Sequence, residues 1–143
     1  MKNLYFVIML SGFMLFGCGG GSSNGQTDTN MSHDDQILKI AFENKQNNLQ
    51  VQGSGTVTKL LPDDTTGSQH QKFILKLSSG QTLLISHNID LSTRIDTLAL
   101  KDSVEFYGEY EWNAKGGVIH WTHDDPNGTH INGWLKHKGI TYK

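Results

Sequence analysis

Histidine is the side chain that serves as acid, base and metal ligand near neutral pH, and this chain concentrates it. Six of its seven histidines lie between His70 and His137. His120, His123 and His130 follow one another closely, with Asp124 and Asp125 between them. Neutral imidazoles beside carboxylates are a donor set for Zn²⁺ and other divalent metals. His120, His123 and His130 are thus the candidate metal ligands, with Asp124 or Asp125 as a further ligand or a base. On one continuing strand His120 and His123 would face opposite sides. They share a metal only if the chain turns after Trp121, and Asp124-Asp125-Pro126 supplies turn residues. The sequence has no H-E-x-x-H and no Cys/His pair. The structural alternative needs no cofactor: His70 and His120 bond loop backbone, while His130 and His137 stand exposed. We favour that alternative on the residues alone.

Other chemistries are poorer. Tyr107, Tyr110, Trp112, Trp121 and Trp134 could stack bases or sugars. Tyr110 and Trp112 fall on the apolar face of their strand, however, and Glu105, Glu109 and Glu111 on its other face would repel phosphate. The net charge of −2 also argues against a nucleic-acid clamp. There is no G-x-S-x-G nucleophile motif. A single cysteine excludes an internal disulfide and a cysteine-based zinc site.

That cysteine has another reading. Lys2 precedes an uncharged run from Leu4 to Phe16. The run falls short of the about 20 residues a membrane-spanning helix needs, and fits the apolar region of a signal peptide. It ends Leu15-Phe16-Gly17-Cys18, which resembles the lipobox of bacterial lipoproteins, with Phe16 larger than usual before the small residue. The resemblance implies cleavage after residue 17 and acyl chains on Cys18, which would anchor the chain to a membrane. Gly19, rather than Asp, after the cysteine points by analogy to the outer membrane of a Gram-negative envelope, facing the periplasm.

The elements that must position the histidines come after a tether. Residues 18–31 are rich in Gly, Ser, Asn and Thr and read as a flexible spacer of about 20 Å. Residues 32–48 read as a short amphipathic helix capped by Ser32 or Asp34, with Ile37, Ile40 and Ala41 as its packing stripe. From Leu49 the period becomes two. Strands are expected over 51–61, 71–77, 81–87, 103–112 and 118–122, and Gly53 and Gly55 suggest a bulge or bend in the first. Residues 88–100 read as a loop with a short helix, and 134–142 as a C-terminal hairpin. A mainly β chain of five strands, bent in the first, with a helix between the third and fourth, is the order of a small OB-like barrel. The barrel domain is residues 49–143, and it should begin near Leu49 with the N-terminal helix packed on it.

Several words in this region go together: Gly53-Ser54-Gly55-Thr56-Val57, His70-Gln71-Lys72-Phe73-Ile74-Leu75, His87-Asn88-Ile89-Asp90-Leu91, Val104 to Tyr110, and Gly116 to His123. Asp125-Pro126 and Gly133-Trp134 continue them. Residues 52–142 thereby resemble the DUF3465 family of small uncharacterised bacterial proteins. The resemblance supports the domain boundary and implies no chemistry. Lys101 stands where the family usually carries Gly before Asp102 and the fourth strand.

Two functional expectations follow. The first is a non-enzymatic binding or interaction module of the envelope, contacting a small polar ligand, an envelope polymer or a protein. The second is a metal-assisted hydrolase, such as a nuclease, built on the histidine cluster. In either case His70, His120, His123, His130, Asp124, Asp125, Trp121 and Trp134 should gather on one surface at the end of the fifth strand.

Overall fold

The structure is a computed structural model that describes residues 31–143. The expected signal sequence, Cys18 and all but Met31 of the expected tether lie outside the described residues. Helix α1 (His33–Glu43) starts at Ser32, whose hydroxyl accepts from the Asp35 backbone N–H. Its buried side chains are Asp35, Leu38 and Ala41. Ile40, expected in the packing stripe, is instead 52% exposed. The helix is rotated toward Leu38 because Asp35 accepts from the Ser78 hydroxyl and the Ser79 N–H, which pins it to a hairpin turn.

Seven strands follow: β1 (Leu49–Leu60), β2 (His70–Lys76), β3 (Thr82–Asn88), β4 (Ser103–Glu111), β5 (Val118–His120), β6 (Trp134–His137) and β7 (Ile140–Tyr142). Their order is β1-β2-β3-β5-β4-β6-β7, and β1 also pairs with β4. The first five therefore form a closed ring, with the β6–β7 hairpin outside it. This is the OB-like barrel expected from the strand pattern.

Closure depends on the length of β1. Its first part, Leu49–Thr56, is antiparallel to β4, and its second part, from Thr56, to β2. The register slips between Val57 and Lys59, so the irregularity lies beyond the two glycines. Gly53 serves close packing instead: a Cβ there would sit 2.7 Å from the Phe106 ring. β3 and β5 run parallel and complete the ring. Alternation in β4 buries Val104, Phe106, Gly108 and Tyr110 against Phe73, Leu75, Leu83, Ile85 and Ile119.

The segment between β3 and β4 is a run of turns; the short helix expected there does not form. Side-chain bonds displace the helical ones. Asn88 Oδ1 accepts from the N–H groups of Asp90 and Leu91. The Gln71 amide bonds both the N–H and the carbonyl of Ile95, fixing the middle of the segment to β2.

Candidate functional site

One edge of β4 is shared by two strands. β5 pairs with its end, placing His120 opposite Glu109 and Val118 opposite Glu111. β6 pairs with its start, placing Trp134 opposite Tyr107. Residues 121–133 thus leave that edge opposite Glu109 and return to it opposite Tyr107, two residues along. The departure is a left-handed residue, Trp121, with φ 53°. The return is Gly133, whose N–H donates to the His123 carbonyl. A Cβ on Gly133 would lie 1.9 Å from the Trp121 carbonyl oxygen, so only glycine fits. Asp125 holds the excursion from within, accepting from the N–H groups of Asn127, Thr129 and His130. Those N–H bonds, Asn127's first, hold the Asp125 carboxyl down at about 2. Asp125 is occupied as a loop organiser. Asp124 turns outward, 3.8 Å from Lys143 Nζ.

The loop lays His130 over the outer face of β4. Its ring stacks on Trp121, with centroids 4.0 Å apart and planes 8° from parallel. Nε2 lies 2.7 Å from Glu109 Oε2, and Nδ1 lies 2.7 Å from the Ile131 carbonyl. Both partners accept, so the geometry suits a ring that donates from both nitrogens. Desolvation alone would lower its pKa. The bonds to Glu109 and to the Ile131 carbonyl outweigh that effect and leave the pKa above the ordinary value. When protonated, the ring rests as a cation on an indole face, a further source of attraction.

His120 approaches the same carboxylate from the other side. Its Nε2 stands 3.2 Å from Glu109 Oε1 and is buried, yet makes no hydrogen bond. Burial pushes its pKa below the usual value, against the charges of Glu109 and Glu111. Glu111 is the next outward residue on β4, and its Oε1 accepts the Asn48 N–H. One ligand atom each from Glu109, Glu111 and His120 lies within 4.8 Å of the others.

Around the corner is a hollow of about 190 Å³ lined by His70, Ser86, Asn88, Leu91, His120, Trp121 and His123. His70 Nδ1 donates to the Ser68 carbonyl, and His123 Nδ1 to the Asp124 carbonyl. A neutral ring with that tautomer keeps Nε2 as an acceptor. Among the described residues neither Nε2 is hydrogen-bonded.

The structure thus divides the predicted residues. His70, His120, His123 and Trp121 share the hollow, and His130 stacks behind Trp121. Trp134 sits farther along, 6.2 Å from the Tyr107 ring. The expected metal set is His120, His123 and His130. Among the described residues these three do not form one ligand group, because Glu109 lies between His120 and His130 while His123 turns to its own loop. Nor are His130 and His137 exposed: His130 is half-buried, and His137 is buried with Nε2 2.7 Å from Asp102. That contact, with the Ala99 N–H and Lys138, holds the Asp102 carboxyl at about 2. Glu109 and Glu111 are the residues the sequence reading missed as functional. Counting outward from a turn at 113–117 places Tyr110 across from His120, one residue off the observed partner Glu109.

The family model for the proteins of unknown function called DUF3465 matches residues 23–143. No curated protein matches the chain.

Proposed function

The chain belongs to the DUF3465 family, and from that premise we propose that it is a lipid-anchored envelope protein whose OB-like barrel binds a small polar ligand without transforming it. The observation that carries the reading is the hollow at His70, His120, Trp121 and His123. It joins an aromatic wall to imidazoles whose tautomers are set by backbone carbonyls. Its volume is below the about 300–1,000 Å³ of sites that bury a drug-sized ligand, so it suits a single polar ring or group. A sugar unit of an envelope polymer is the first candidate. It offers hydroxyls to the imidazole acceptors and a flat apolar face to the indole. The anchor rests on the lipobox-like end of the signal sequence at Cys18. We prefer this reading to a metal-assisted hydrolase because His130 pairs with Glu109 and Asp125 serves the loop.

Two measurements test the proposal. Indole fluorescence of the full chain, titrated with N-acetylglucosamine and short cell-wall glycans, should change saturably, and His123→Ala should weaken binding about tenfold. A response that is linear to the highest concentration, or unchanged in the variant, would remove the ligand reading. Cys18→Ser should move the protein from the membrane to the soluble fraction. Palmitate labelling that survives this change would remove the anchor.

A further inference from the structure

Three groups on the outer face of the β4–β5 pair each keep a donor atom that makes no hydrogen bond among the described residues. Glu109 gives Oε2 to His130, and its Oε1 accepts no hydrogen bond among the described residues. Glu111 gives Oε1 to the Asn48 N–H, which leaves Oε2. His120 has a buried Nε2 with no partner, 3.2 Å from Glu109 Oε1. A buried ring nitrogen aimed past hydrogen-bonding geometry at a carboxylate oxygen leaves both atoms poorly satisfied. A cation between them satisfies both.

We propose that Glu109, Glu111 and His120 form a binding site for a divalent transition-metal ion, with Zn²⁺ the first choice. The proposal goes beyond the ligand reading and does not depend on it. The three donors already lie within 4.8 Å of one another. They are placed by strand register, Glu109 opposite His120 and Glu111 two residues along the same face. One imidazole with two carboxylates gives three protein ligands, the number found in open zinc sites, which keep a position for water or a ligand. The imidazole disfavours Ca²⁺ and Mg²⁺, which prefer all-oxygen sites. The surrounding bonds are those that orient metal ligands: His130 steadies Glu109, and the Asn48 N–H steadies Glu111. His120 also lines the hollow, so the ion would stand at its wall.

The test uses the full chain, purified in detergent, stripped with chelator and titrated calorimetrically with ZnCl₂. One equivalent should bind, and Ca²⁺ or Mg²⁺ at the same concentration should not compete. Co²⁺ should give visible absorption of a four- or five-coordinate ion. Glu111→Gln preserves shape and touches neither His130 nor the hollow, and should weaken Zn²⁺ binding at least tenfold. Glu109→Gln should do the same, while His123→Ala should leave Zn²⁺ binding unchanged. Zn²⁺ binding unaltered by Glu111→Gln, dependent on His123, or below half an equivalent would overturn the assignment. Because glycan titration and Zn²⁺ titration are read separately, failure of one proposal is distinguishable from failure of the other.

Discussion

His87 is sealed inside the barrel, with Nε2–H on the Thr93 carbonyl and Nδ1 accepting from the Thr122 hydroxyl. Burial drives its pKa from 6.5 to about 4. Between those values the unfolded chain holds a proton that the folded chain refuses, so stability is full above about pH 6.5 and falls as pH drops through that window. At about 1.4 kcal/mol per pH unit the loss approaches about 3 kcal/mol. Urea denaturation at pH 7 and pH 5 should show this fall, and His87→Gln, which does not titrate, should flatten it. His130 has the opposite sign. Its pKa is raised, so the stabilisation from its pair with Glu109 is complete below about 6.5 and is lost as pH rises through the folded value. An NMR titration of the imidazole protons should place His130 above, and His87 far below, an unperturbed histidine. Lys101 is a third single-residue case. It holds φ 73°, a conformation that costs a side-chain-bearing residue about 1–2 kcal/mol. Lys101→Gly should therefore raise the unfolding free energy by about 1 kcal/mol, and unchanged or lower stability would contradict that account.

At the scale of elements, the 121–133 loop decides whether β4 presents a bare acidic face or a built site. Its closure rests on Gly133 meeting the carbonyls of Trp121 and Tyr107. Backbone oxygens cannot swing aside, so Gly133→Ala should destabilise the fold by about 2–3 kcal/mol. It should also separate the Trp121 and His130 rings, which a change in the His130 pKa would register. The legibility of this region follows from the kind of information involved. The alternation of β4 was readable because one face is apolar, and the turn signals around 113–117 and 124–128 were readable from Gly, Asn, Asp and Pro. Glu109 looked like part of a solvated face because periodicity says which side a residue takes, not what later folds over it. The covering of Glu109 is a tertiary event, made by a segment with no period of its own. His137 was misplaced for a similar reason, since its partner Asp102 is distant in sequence. The absent helix before β4 reflects side-chain bonds from Gln71 and Asn88 that no local propensity anticipates.

For the molecule as a whole, the ring is closed at β1–β4 by a long strand and at β3–β5–β4 by a very short one. β5 has only three residues, yet it bridges β3 on one side and β4 on the other. Few bonds hold it, so the barrel should breathe there first, by local opening rather than global unfolding. Amide hydrogen exchange should find β5 and the Leu84 N–H, which donates to the Gly117 carbonyl, exchanging faster than the β1–β4 ladder. β5 is also the strand that carries His120 into the turn at Trp121. Whatever occupies that end of the strand rivets the barrel's loosest stave, so its occupancy would be legible as slowed exchange at Ile119, an amide that touches no ligand at all.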